Sequence, residues 1–206
     1  MGAQERVRSI HIEGMDLAGK TTLVRSLAEH RPDAELRHNA LTQENEIYVL
    51  ADAMRLDGKG SGAVLGPLYL AALTYDLEAY RAPTGTTIQD STVALRSLAY
   101  YGARGDGRLA ADFEGLLGIH PCFDRSIVLT AAREARLERL EARRRANPAE
   151  VADDDLLVVG DPELFYRMEA RLIEAAVEHF GAIVVDTSEL SPAEVLARVE
   201  EAVSEG

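Results

Sequence analysis

With 206 residues, 47% of them hydrophobic and 28% charged, the chain suits one α/β domain with a substantial core. A formal net charge of −13 argues against a broad nucleic-acid-binding surface, which needs clustered lysine and arginine, but leaves room for phosphates held by a few local cations and backbone N–H groups. The single cysteine, Cys122, rules out an internal disulfide and fits a reducing compartment, its expected role being a small semi-buried side chain. The opening MGAQERVRS lacks an apolar signal core and no apolar run is long enough to span a membrane, so the cytoplasm is the expected location.

Val7 to Glu13 alternates apolar and polar residues up to Gly14, the pattern of a first strand. Lys20 to His30 has helical spacing through Leu23, Leu27 and Ala28 and stops before Pro32. A short strand over Ala34 to His38 precedes a helix over Thr42 to Leu56, with Thr42 as its expected cap. DGKGSGAVLGP is the most loop-like stretch, after which Pro67 is expected to open a helix to about Arg81. Next come a strand over Thr86 to Gln89 ending at Asp90, a helix from Val93 to Tyr101, a mobile-looking GARGDGR and a short helix over Ala110 to Leu117. Ser126 to Thr130 reads as a strand and Ala132 to Arg145 as a charged helix. That helix leads into 146–161, with its Asn147-Pro148, three aspartates and Gly160-Asp161-Pro162. A helix to Phe180, a strand over Ala182 to Asp186 and a helix over Pro192 to Val203 complete the chain. Strands alternating with helices predict a mainly parallel sheet covered on both faces, in a single domain over 1–206.

Gly14-Met15-Asp16-Leu17-Ala18-Gly19-Lys20-Thr21 fits G-x-x-x-x-G-K-[ST] between a predicted strand and a predicted helix, the context this phosphate-binding loop requires. Its glycines permit close backbone approach, and its N–H groups converge on phosphate at a helix N-terminus. Lys20 would neutralise the β/γ oxygens and the Thr21 hydroxyl would ligate Mg²⁺. Asp90, at a strand end, can face the metal or its water shell. Asp16 repels phosphate, so its natural partner inside the loop is an acceptor hydroxyl, by hydrogen bond or as proton acceptor. Arg136, Arg139 and Arg143 share a helix face, with Arg144 and Arg145 beyond. Two readings stand: a solvated face partnered by Glu138 and Glu141, or a lid over about 142–161 whose arginines, Arg139 and Arg143 among them, cover leaving phosphates. His11, His30, His38, His120 and His179 show no metal-ligand spacing and are expected to be structural.

These residues resemble the thymidylate kinase family of the nucleoside monophosphate kinase group. IHIEGMDLAGKTTLVRSLAEH is similar to that family's first strand, phosphate loop and helix, and QDSTVALRSLAYYGARGDGR to its D-R-Y/H segment, A-Y-Q-G and Gly/Arg loop. LTAAREARLERLEARR and ELFYRMEARLIEAA resemble the stretches entering and leaving its lid, and VVDTSELSPAEVLARVEEAV its closing strand, adenine-side loop and helix. The resemblance implies a three-layer P-loop NTPase fold with a five-stranded sheet and a lid. It also implies ATP as donor with Mg²⁺, and often a homodimer. On this resemblance the nucleotide is held by Gly14, Ala18, Gly19, Lys20, Thr21, Thr22 and Thr187, and the metal by Thr21 and Asp90. The acceptor is met by Asp16, Arg37, Asp90, Tyr100 and Tyr101.

Departures cluster on the acceptor side. Arg-Glu-Pro-Gly reads here as Arg37-His38-Asn39-Ala40, the D-R pair as Asp90-Ser91, the helical Ala-Ala-Arg as Ala71-Ala72-Leu73 and the A-Y-Q glutamine as Tyr101. Arg is the usual anchor of a dianionic monophosphate, so each loss should weaken such an acceptor by roughly 1.5–3 kcal/mol. Arg37 survives, and Arg96 or Arg104 can substitute from shifted positions. Glu44, Glu46, Asp52, Asp76 and Glu78 lie in the segments that would surround the acceptor and are expected mostly as solvated helix faces. The expected function is ATP-dependent phosphoryl transfer to a small neutral or amine-bearing hydroxyl compound, such as a nucleoside or an aminocyclitol-like metabolite. The alternatives are a divergent thymidylate or deoxynucleoside monophosphate kinase, and a non-catalytic nucleotide-binding regulatory protein.

Overall fold

In the computed structural model, which describes residues 7–204, five strands make one sheet: β1 (Ser9–Gly14), β2 (Glu35–His38), β3 (Thr87–Asp90), β4 (Arg125–Thr130) and β5 (Ile183–Asp186). All the pairings are parallel, in the order β2–β3–β1–β4–β5. The first six residues, read above as part of a start without a signal core, lie outside the described residues. Around the sheet run α1 (Lys20–His30), α2 (Glu46–Leu56), α3 (Gly62–Ala79), α4 (Val93–Ala103), α5 (Gly107–Leu117), α6 (Arg133–Ala146), α7 (Asp153–Gly160), α8 (Pro162–Phe180) and α9 (Pro192–Ser204). No described helix is long and apolar enough to cross a membrane.

Strand alternation divides the core in two. Ile10, Ile12, Ile127 and Leu129 pack with Leu23 and Leu27 of α1 and Val195 and Val199 of α9. On the other face Val128 joins Leu95 of α4, Phe113 of α5 and Phe165 and Leu172 of α8. Each such fully buried side chain contributes roughly 1.5–3 kcal/mol by leaving water. His11 and Glu13 alternate with the two isoleucines of β1 and so face the α4/α8 side, where His11 stacks on Phe123 with ring centroids 4.6 Å apart. That orientation brings Glu13 beneath α4, with consequences for the site.

Several local expectations change. Helix α2 begins at Glu46, capped by Asn45, whose side chain accepts from the Tyr48 N–H. Thr42 instead donates its hydroxyl to Asp76 at 2.5 Å. Asp76 is not a solvated helix residue but is 1% exposed, and it also accepts from the Leu41 and Thr42 N–H groups. Pro67 lies inside α3 rather than at its start, because Val64 and Leu65 already close the first turn on the Ser61 carbonyl. Gly66, part of the stretch read as loop, is a packing glycine: a Cβ there would lie 2.5 Å from Leu109 and 3.1 Å from the Tyr101 ring. The 146–161 segment is also more regular than expected, with a 3-10 turn at Pro148–Glu150 followed by α7. Cys122 is exposed, not semi-buried.

Candidate active site

The sharp exit from β1 requires glycine. Gly14 has φ +148, and a Cβ on it would sit 2.5 Å from the Leu129 carbonyl oxygen. Gly19, at φ 97, leads into α1 without a side-chain cap, so the first N–H groups of α1 remain available to an anion. Between them the loop's carbonyls turn outward onto side-chain partners. Arg96 Nη2 donates to Gly14 O at 2.7 Å, Arg136 Nη1 to Asp16 O at 2.7 Å and Arg139 Nη1 to Leu17 O at 2.9 Å, while Thr187 Oγ1 lies 2.8 Å from Ala18 O. With these carbonyls so engaged the loop conformation is fixed; the Gly14 N–H goes to Glu13 and the Ala18 N–H to the Met15 carbonyl, which leaves the other loop N–H groups available to an anion.

The arginines of α6 therefore do not act as one face. Arg136 is 0% exposed. It donates to Ala131 O at 2.8 Å, pairs with Glu169 and places its guanidinium 4.8 Å from the Phe165 ring centroid. Removing it would orphan Glu169, which burial already pushes up from the usual carboxylate range despite the Arg136 charge and the Thr130 hydroxyl. Arg136→Met is expected to destabilise the fold by about 3–5 kcal/mol, measured by urea unfolding; a loss below about 1 kcal/mol would place Arg136 among ordinary surface charges. Arg139 Nη2 also donates to Thr187 O at 2.6 Å, tying the phosphate loop to the β5–α9 connection. Arg143 is held by both carboxylate oxygens of Asp155 at 2.7 Å. Beside the loop opens a cleft of about 280 Å³ whose lining includes Ala18, Thr22, Arg139, Arg143, Thr187 and Leu190. It lies at the small end of ligand pockets, roughly 300–1,000 Å³.

Lys20 Nζ donates to Asp90 Oδ1 at 3.0 Å, and His38 Nδ1 lies 3.1 Å from Asp90 Oδ2. Burial alone would raise the Asp90 carboxyl, but the His38 hydrogen bond and the charge and hydrogen bond of Lys20 outweigh it and hold it well below the ordinary range. His38, expected to be purely structural, thus belongs to the site. Thr21 and Thr22 are exposed at the start of α1. A threonine hydroxyl and a carboxylate are the hard oxygen donors Mg²⁺ takes, with waters and substrate phosphates filling its octahedron. Thr21 and Asp90 thus fit that ion, and no cluster of three or more His, Cys, Asp or Glu with metal-site geometry occurs among the described residues.

On the acceptor side, Asp16 Oδ2 lies 4.0 Å from Arg96 Nη1, and Arg96 Nε donates to the buried Glu13 at 3.1 Å. Tyr100 follows Arg96 by one turn of α4 and carries the Arg104 guanidinium over its ring, 4.5 Å from the centroid. Tyr101 does not line this side. It is 5% exposed and packed parallel to Phe113 at 5.8 Å, because the Gly66 gap on α3 admits its ring. Burial pushes its hydroxyl up to about 12. Arg37 is engaged by Glu35, with Nε to Oε1 at 2.7 Å and Nη2 to Oε2 at 3.1 Å, and donates to Leu41 O at 2.6 Å. Alternation along β2 puts Arg37 on the face opposite His38. Leu73, aligned with an arginine of the resembled family, is 1% exposed in the core.

Beyond Asp52, a further wall was not foreseen. Tyr48, Asp52 and Arg55 recur at helical spacing on α2. Asn39 Nδ2 donates to the Tyr48 hydroxyl at 2.8 Å, Arg55 Nε to Asp52 at 3.0 Å and Arg55 Nη1 to Asp154 of α7 at 3.0 Å. Tyr69 of α3 stands with its ring 6.3 Å from that of Tyr48. The i, i+4, i+7 repeat of polar residues was the available signal.

A parallel sheet in this order, with a phosphate loop between β1 and α1, is the P-loop NTPase fold. Solved structures similar to it include thymidylate kinases and a deoxyadenosine kinase. The chain is similar to thymidylate kinase from Candida albicans (TM-score 0.65, 17% identity, covering 96% of this chain and 91% of that one). It is similar also to thymidylate kinase from Ehrlichia chaffeensis (0.63, 17%, covering 96% and 98%). The deoxyadenosine kinase of M. mycoides aligns at TM-score 0.59 and 17% identity, covering 96% of this chain and 100% of that one. No protein-family model matches the chain, and no curated protein matches its sequence.

Proposed function

We propose that the protein transfers the γ-phosphoryl group of ATP to a hydroxyl group of a small neutral or amine-bearing acceptor, such as a nucleoside or an aminocyclitol-like metabolite. The observation that carries this reading is Asp16, inside a phosphate loop with its carbonyls tied outward, its carboxylate left out of hydrogen-bond range of Arg96 at 4.0 Å. Lys20, the loop N–H groups and the N-terminus of α1 would meet the phosphates, with Thr187 and Arg139 on the base side. Thr21 and Asp90 would hold Mg²⁺, which neutralises phosphate charge when bound. In the transfer, the acceptor oxygen bonds to the γ-phosphorus as the bond to the bridging β–γ oxygen breaks and its electron pair leaves on ADP. The acceptor's proton passes to Asp16.

Charge on the acceptor side supports a hydroxyl rather than a monophosphate. Five carboxylates (Glu13, Asp16, Asp52, Asp90 and Asp154) face four cations (Lys20, Arg55, Arg96 and Arg104), a surplus of one negative charge. A monophosphate would add about two more. Thymidylate phosphorylation is the second reading, favoured by the likeness to two thymidylate kinases.

Release of ADP, followed with Mg-ATP and a panel of nucleosides, aminocyclitols and thymidylate, tests the proposal. Turnover should depend on a hydroxyl compound, with thymidylate at least about tenfold poorer in kcat/KM, the equivalent of one lost charged contact. Efficient thymidylate turnover would establish the second reading. Nucleotide binding without turnover on any acceptor would mark a regulatory nucleotide-binding protein.

A further inference from the structure

The transfer proposed above makes no use of Glu13, yet its side chain is 0% exposed at the end of β1. Withdrawing a carboxylate from water costs several kcal/mol unless its oxygens are well bonded. Here Oε1 accepts from the Gly14 N–H at 3.0 Å and from Arg96 Nε at 3.1 Å, and Oε2 from the Thr92 N–H at 3.1 Å. His11 Nε2 stands 3.8 Å away, too far for a hydrogen bond. Burial alone would raise Glu13; the Arg96 charge and the nearby His11 ring outweigh it and bring the carboxyl down to about 2. The two backbone N–H groups donate to different oxygens, so a neutral amide, with one acceptor oxygen, would satisfy only one of them. The negative charge itself is matched by Arg96.

Arg96 is held on two edges, Nε by Glu13 and Nη2 by the Gly14 carbonyl at 2.7 Å. The remaining nitrogen, Nη1, points toward Asp16 at 4.0 Å, on a guanidinium that keeps 28% of its exposure. At that distance the guanidinium attracts the carboxylate without consuming its lone pairs, and Asp16 oxygens stay open to an acceptor hydroxyl. Arg96 is also a poor anchor for a dianionic acceptor, because Glu13 and Asp16 already match its charge. Resting on the hydroxyl-transfer reading above, we infer that Glu13 is a positioning residue for the proton-accepting Asp16, acting through Arg96. This pair, not a cation after Asp90, orients the acceptor side of the loop.

The test is a double-mutant cycle between Glu13→Gln and Asp16→Asn, with kcat and KM measured on the best hydroxyl acceptor and nucleotide affinity measured separately by fluorescence titration. Glu13→Gln alone should lower kcat about tenfold while changing nucleotide affinity less than about twofold, the signature of an interaction made in the transition state. Arg96→Lys should behave similarly, since an ammonium cannot span Glu13, Gly14 O and Asp16. In the Asp16→Asn background, Glu13→Gln should cost less than about twofold more. A further tenfold loss there, an unchanged kcat, or a rise in acceptor KM alone would overturn the inference. If Glu13→Gln fails to fold, Arg96→Lys in both Asp16 backgrounds completes the same cycle. A wild type that turns over no hydroxyl compound would sink the proposed function, and the inference with it. Turnover that is indifferent to Glu13 and Arg96 would sink the inference alone.

Discussion

Replacing Lys20 with alanine is expected to lower turnover by at least about a hundredfold while leaving the fold intact. On the proposed function Lys20 meets charge on the transferring group, where stabilisation is realised chiefly in the transition state. Without nucleotide its ammonium is stored on Asp90 at 3.0 Å. Losing that contact leaves Asp90 with His38 at 3.1 Å and the Ser91 hydroxyl at 3.3 Å. The Lys20 and Asp90 side chains are 13% and 12% exposed, so the pair is largely buried and its loss is expected to lower the melting temperature by a few degrees without unfolding the protein. Circular dichroism and thermal melting check the fold, and ADP release checks the chemistry. A variant with near-wild-type turnover would remove Lys20 from the reaction.

The second large effect is expected from Asp16→Asn. The amide keeps the shape of the carboxylate but cannot take a proton, so transfer to a hydroxyl should fall by about 10²–10⁴-fold. Thymidylate is already anionic and needs no such base, so its slower phosphorylation should fall by less than about tenfold, the loss of positioning alone. Asp16 is 29% exposed and makes no side-chain hydrogen bond with Arg96, so nucleotide affinity and melting should stay close to wild type. Equal losses with both acceptors would show that Asp16 acts on the phosphoryl donor instead.

Much of the architecture was legible because period and punctuation agreed. The alternation of β1, the glycine-rich loop and the spacing of Leu23 and Leu27 all point to one strand–loop–helix unit, and the strands fall within a residue or two of their expected places. Reading failed where one residue type serves two physical roles. Gly66 reads as loop, yet it is small so that Tyr101 can approach α3. Tyr101 itself, on the helix expected to face the acceptor, turns into the core because that gap exists. Asp76 reads as a solvated helix residue but collects the Leu41 and Thr42 N–H groups of a distant turn. Arg136, Arg139 and Arg143 share a periodicity, but burial and partners assign them to a strut, a tie and an ion pair with Asp155. None of these choices is written in local sequence, since each depends on what a remote element brings opposite. The partnership of His38 with Asp90 is of the same kind, set by the parallel register of β2 and β3.

The outward ties of the phosphate loop also divide the molecule by what is free to vary. They come from α4, α6 and the β5–α9 connection: Arg96, Arg136, Arg139 and Thr187. Helices α2 and α3, which carry Tyr48, Asp52, Arg55 and Tyr69, contribute none of these four. On the proposed function, substitutions at exposed positions of those two helices are expected to change acceptor choice while leaving the four ties of the phosphate loop intact. In the proposed kinase, a library built to redirect acceptor choice should be placed on the exposed positions of these two helices and should spare Gly66, Leu73 and Asp76, which are packed or hydrogen-bonded.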